Sequence, residues 1–177
     1  NAQLDDRLGA YLILDVLPKL VGEHAYDVLL TEGEEIGRST AAHFQHEPYN
    51  WMFSFDRAGT DVVMYQYETK ALRNLLEAAK FKIGTGTMSD LSRMTHISCK
   101  GFNFGCGYHD NHSKMAYARM NETVKMVNAF ASFFNHYRDT PFPHDPTVKY
   151  APTYRVLYSH LSEMNPSNDA QDTLSYK

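Results

Sequence analysis

The side chains best suited to chemistry crowd into one stretch, Cys99-Lys100-Gly101-Phe102-Asn103-Phe104-Gly105-Cys106-Gly107-Tyr108-His109-Asp110-Asn111-His112. It mixes thiols, imidazoles and a carboxylate among glycines. Cys99, Cys106, His109 and His112 form a candidate metal set, because thiolate and imidazole suit tetrahedral zinc. His96 stands nearby as a substitute ligand. The two cysteines are seven residues apart, wider than the roughly two to four intervening residues common in structural zinc sites. That spacing leaves a small disulfide loop and free buried thiols both open. His109 and Asp110 form a second candidate set. An imidazole that titrates near neutrality takes a proton from water while an adjacent carboxylate holds a divalent cation.

From Gly101 to Asp110 the chain locally resembles the secreted phospholipases A2 of bacteria and fungi, in which a Cys-x-x-His-Asp run opens a long helix. The resemblance implies His109 as the residue that activates water and Asp110 as a calcium ligand. The chain departs from that pattern downstream. Asn111-His112-Ser113 stands where a tyrosine is expected, Asn128 falls where a second aspartate would orient the histidine, and the family's other cysteines are absent. A related metal-dependent phosphohydrolase of the His…His-Asp…Asp type would add to the His109-Asp110 pair an upstream histidine, His43 or His46, and a later aspartate, Asp145 or Asp169. The plainer reading needs no chemistry. Phe102, Phe104 and Tyr108 alternate like an extended segment packing its rings inward, and Asp110 or Asn111 caps the following helix.

The elements that must position these residues read as mainly α: a single domain of about five helices over residues 1–166, with a small β-hairpin near residues 51–67 and a polar tail over 167–177. Leu8, Leu12, Val16 and Leu20 recur at four-residue steps in a first helix apolar nearly all round, with Pro18 kinking or ending it. A second helix is expected over about 23–45, with Gly33 and Gly37 marking close approach of another backbone. Residues 51–55 and 62–65 are rich in aromatic and β-branched side chains and flank a polar loop, as in a hairpin; one long helix from Asp61 to Phe81 is the competing reading. Residues 82–110 read as irregular. The strongest helix spans about 113–138, its stripe running Met120, Val124, Val127, Ala131 and Phe134. A short last helix is expected over about 153–164.

Composition bounds the function. The 177 residues carry a net charge of −4, 13% aromatic and 43% hydrophobic side chains. Nothing clusters Lys and Arg for a nucleic-acid partner, and no run approaches the roughly 18–20 apolar residues of a membrane span. Neither a lysine-terminated phosphate loop nor a Gly-x-Ser-x-Gly turn occurs. The expectation is a non-catalytic accessory or scaffold subunit that packs against other protein subunits through aromatic-rich helices and needs no cofactor. The alternative is a metal-dependent hydrolase using His109 and Asp110 with zinc or calcium. A further alternative is a small-molecule sensor, whose mark would be a cavity of about 300–1,000 Å³. The chain starts at Asn1 rather than methionine, which suggests a processed N-terminus and an organellar (mitochondrial) or secreted address.

Overall fold

A computed structural model describes residues 4–147, and in it helices and sheet share the work: 41% of the described chain is helical, around a four-stranded mixed sheet and a two-stranded one. The chain is therefore an α/β fold with three helical bodies, and the expectation of a mainly α domain of five helices is corrected.

The first body is α1 (Leu4–Tyr11), a π-helical stretch (Leu12–Val16) and α2 (Leu17–Val21). The helix continues through Pro18, with a π stretch just ahead of it, and ends three residues beyond at Val21. The ring would crowd the carbonyl one turn earlier, and the wide π turn ahead of it gives that room; the Leu17 amide bonds to the Leu12 carbonyl. The body ends at Gly22, whose φ of +110° lies outside helical space. Gly9 seats α1 on the sheet. A Cβ there would meet the Phe55 carbonyl oxygen at 1.8 Å, so only glycine allows this approach.

No second helix forms over 23–45. Gly33 and Gly37 take φ of +78° and +72°, turn conformations rather than helical ones, and a single 3-10 turn follows at Thr40–His43. The loop is closed by its own backbone, Arg38 N–H to the Gly33 carbonyl and Thr40 N–H to the Glu32 carbonyl. Local turn bonding thus overrides the loose apolar spacing, and Leu30 and Ile36 point to solvent.

Residues 51–67 do hold two strands, β1 (Met52–Ser54) and β2 (Asp61–Val63), but they do not pair as a hairpin. With β3 (Lys82–Ile83) and β4 (Gly101–Phe104) the sheet order is β1-β4-β2-β3. β4 runs parallel to β1, Phe53 opposite Phe102, and antiparallel to β2, Val62 opposite Phe104. Burial on both faces makes β4 the natural centre. Phe102 and Phe104 point to one side; Gly101 lies against Tyr67 on the other, and Asn103 satisfies both the amide and the carbonyl of Asp56. The competing long helix from Asp61 is replaced by β2 and α3 (Lys70–Ala78).

The last body, α4 (Met120–Tyr137), is shorter than the 113–138 expected, because β5 (Tyr108–His109) and β6 (Tyr117–Ala118) pair ahead of it. Neither Asp110 nor Asn111 caps it; Arg119 stands at that position. The buried face is Thr123, Met126, Val127, Phe130, Ala131, Phe133 and Phe134, while Met120 and Val124 are exposed. This face lies on the rings of β1 and β4, with Phe130 4.7 Å from Phe53, 5.0 Å from Phe55 and 4.9 Å from Phe104. The expected helix at 153–164 and the tail at 167–177 lie outside the described residues. No helix among the described residues is long and apolar enough to cross a membrane.

Candidate functional site

The residues singled out by spacing do not converge. Cys99 and Cys106 are both free and buried, so the disulfide alternative is not formed. Cys99 sits where the chain bridges to Pro143, and burial pushes its thiol up to about 11. The Cys106 thiol donates to the Phe55 carbonyl at 2.7 Å and is likewise pushed up by burial. Both environments oppose the thiolate a metal would need. His109 Nε2 lies 2.7 Å from Glu122 Oε2, and its ring stacks on Tyr117. The histidine contact, then Arg119, holds the Glu122 carboxyl below its ordinary value. Asp110 is exposed, with a φ of +53°.

His112 belongs to a different group. Its Nε2 is 3.3 Å from Asp5 and its Nδ1 is 3.7 Å from Glu35. Each of these three residues offers a ligand atom within 4.8 Å of the others. They could hold a divalent cation once the imidazole is neutral, and of the four metal candidates read from the sequence only His112 takes part. The three line a cleft of about 370 Å³, together with Glu34, Asp56, Arg57, Tyr65 and Tyr108. The Tyr108 hydroxyl donates to Asp5 at 2.7 Å, and Arg57 is already engaged by Asp61 at 2.8 Å.

A larger groove, about 610 Å³, opens on the other side of Asp56. Ala10, Ile13 and Leu14 of the first helical body form one wall, and residues 25–31 form the facing one. Trp51 to Phe55, with Phe134 behind them, make the floor. The irregular path of residues 23–39 is what creates this space. The Tyr26 hydroxyl donates to the Ile13 carbonyl, and the Tyr26 ring meets Phe53 edge-on at 5.4 Å, so the segment is held across the groove rather than coiled over it. Trp51 is the chain's one tryptophan. Its indole N–H donates to the Tyr137 carbonyl at 2.9 Å, which fixes it in the floor.

The apolar walls run into carboxyls. Asp6, Asp56 and Asp90 line the same groove. Asp90 accepts the hydroxyls of Thr31 and Ser39. Burial first, then the charges of Asp6, Asp5 and Glu34 and a hydrogen bond to Asp5, push Asp56 up to about 9. Asp6 is raised to about 7 by loss of water and by Asp5, Asp90 and Glu34, although its side chain still reaches solvent. No lysine or arginine lies within ion-pair distance of either among the described residues. These causes favour the protonated form of Asp56 near pH 7, with its hydroxyl donating a hydrogen bond to Asp5. On the floor strand, Ser54 Oγ is buried without a hydrogen-bond partner among the described residues.

Sequence reasoning named none of these carboxylates. Asp5, Asp6, Asp56 and Asp90 are spread over 86 positions with no local spacing, and Asp5-Asp6 reads as an ordinary acidic start to a helix. The seating of α1 on Phe55 brings Asp5 and Asp6 to Asp56 at the end of β1, and Asp90 joins them from the 3-10 turn Asp90–Arg93. No protein-family model, no curated protein and no solved structure matches this chain.

Proposed function

We propose that this domain is a small-molecule-binding or sensor domain whose ligand lies in the groove floored by Trp51 and Phe53. The observation that carries the reading is the groove itself. Its volume of about 610 Å³ sits within the range of about 300–1,000 Å³ typical of ligand sites, and it has the expected composition of apolar walls with a few convergent polar groups. The exposed side chains Leu14, Val28, Leu29 and Leu30 form its rim, where a ligand would cover them.

Trp51 makes the test direct. Titration with neutral dansylamide should give saturable energy transfer from this single tryptophan. Ala10→Phe, which fills the groove, should abolish it. Unsaturable transfer, or transfer unchanged in Ala10→Phe, would remove the proposal.

A second reading, the accessory subunit, is supported by Tyr11, Leu14 and Leu20, which stand open to solvent along the first helical body. The two readings separate in the same titration. An isolated chain that binds the probe supports the first, whereas a groove that takes no small probe leaves the apolar rim to a protein partner. The hydrolase reading has the His109–Glu122 pair in its favour, but neither His109 nor Asp110 lines the two clefts described above.

A further inference from the structure

We propose that the groove's ligand is an organic cation, a protonated amine on an aromatic or branched-aliphatic body, with its ammonium group against Asp56 and Asp6. This rests on the groove being a ligand site and adds the chemical class of what enters it.

Charge comes first. Four carboxyl residues line the groove, Asp6, Asp27, Asp56 and Asp90, against one arginine, Arg138, and one imidazole, His46. Two of the four are engaged by neutral hydroxyls: Asp27 accepts from Tyr49 at 3.1 Å, and Asp90 from Thr31 and Ser39. Asp6 and Asp56 have no cationic partner among the described residues. An anion entering beside Asp6 and Asp56 would add negative charge to a cluster with no cationic partner of its own, and a neutral apolar molecule would bring it no counter-charge.

Donor count comes second. The buried Ser54 Oγ has no hydrogen-bond partner among the described residues and stands two residues from Asp56 on the same stretch of backbone. A primary ammonium has three N–H donors, and Asp56 and Asp6 supply carboxyl acceptors in one groove.

The walls come third. Tyr26, Trp51, Phe53 and Phe134 lie close together, with Trp51 and Phe53 ring centroids 5.9 Å apart. Such faces accept an aromatic or aliphatic body and attract a nearby cation as well.

Three probes of similar size test the assignment by Trp51 fluorescence: 2-phenylethylamine, 2-phenylethanol and phenylacetate. The amine is expected to bind at least about tenfold tighter than the alcohol, a difference of about 1.4 kcal/mol, and phenylacetate not at all. Asp56→Asn together with Asp6→Asn should bring the amine down to the affinity of the alcohol while leaving the alcohol unchanged. If the alcohol binds as well as the amine, the cation assignment falls and the groove remains a ligand site. If none of the three binds while dansylamide does, the cation assignment also falls. If dansylamide fails too, the groove reading goes with it.

Discussion

Replacing Phe130 by alanine is expected to cost about 3–5 kcal/mol of folding stability, the range for removing a large, fully buried aromatic side chain. Phe130 is completely buried and is the meeting point of both strands with α4. Its ring lies within 5.0 Å of those of Phe53, Phe55 and Phe104, and 5.8 Å from that of Phe134. The neighbours are rings on a sheet and a helix, which cannot collapse into the space left behind. Against a total stability of about 5–15 kcal/mol, the loss is a large fraction. Urea unfolding read by circular dichroism measures it, and Phe130→Leu should recover much of the difference. A Phe130→Ala midpoint within about 1 kcal/mol of wild type would contradict the packing described.

Asp56→Asn is expected to act in the opposite direction. The folded-state value of Asp56 is about 9, well above the roughly 3.9 of an unfolded aspartate. Between those limits the folded chain keeps a proton that the unfolded chain has lost. Stability therefore falls as pH rises through that window, by up to about 1.4 kcal/mol per pH unit. Asparagine cannot ionise and can still donate to Asp5, so it reproduces the protonated state. The variant should match wild type near about pH 4–5 and exceed it by several degrees in Tm near about pH 8. A smaller decline should persist in the variant up to about 7, where Asp6 titrates. Parallel Tm–pH profiles for the two proteins would show that Asp56 is not held neutral.

Legibility in the sequence followed locality. The first helical body and the core of α4 are visible because their apolar residues recur every three or four positions. The start of α4 was not. Met120 and Val124 fit the stripe equally well, and it is the β5–β6 pairing, with the Arg119 amide on the Gly107 carbonyl, that sets where the helix begins. The alternating rings of Phe102, Phe104 and Tyr108 are buried as their spacing implies, yet β4 is only four residues long and its partners lie some 40 to 50 positions upstream. The thiols and imidazoles of residues 99–112 looked like a site because they are close in sequence. The carboxyls that share a groove are far apart in sequence and meet only in the fold. Residues 23–45 show the same contest: apolar spacing suggested a helix, and two glycines in turn conformations decided otherwise.

The central claim is that a neutral carboxyl at the end of an apolar groove releases its proton to solvent when an organic cation arrives, leaving a carboxylate paired with the ammonium. Asp5, Asp6, Glu34, Glu35, His112, Tyr65, Tyr108 and Arg57 are titratable groups around Asp56; burial first, and then the charges of Asp6, Asp5 and Glu34, set the balance towards the protonated form. Calorimetry of 2-phenylethylamine binding near about pH 7.5, in two buffers of different ionisation enthalpy, counts the protons released. Saturable binding with release of close to one proton per amine, lost in Asp56→Asn, is the expected result. Binding without proton release, or no saturable heat at millimolar amine, would contradict it.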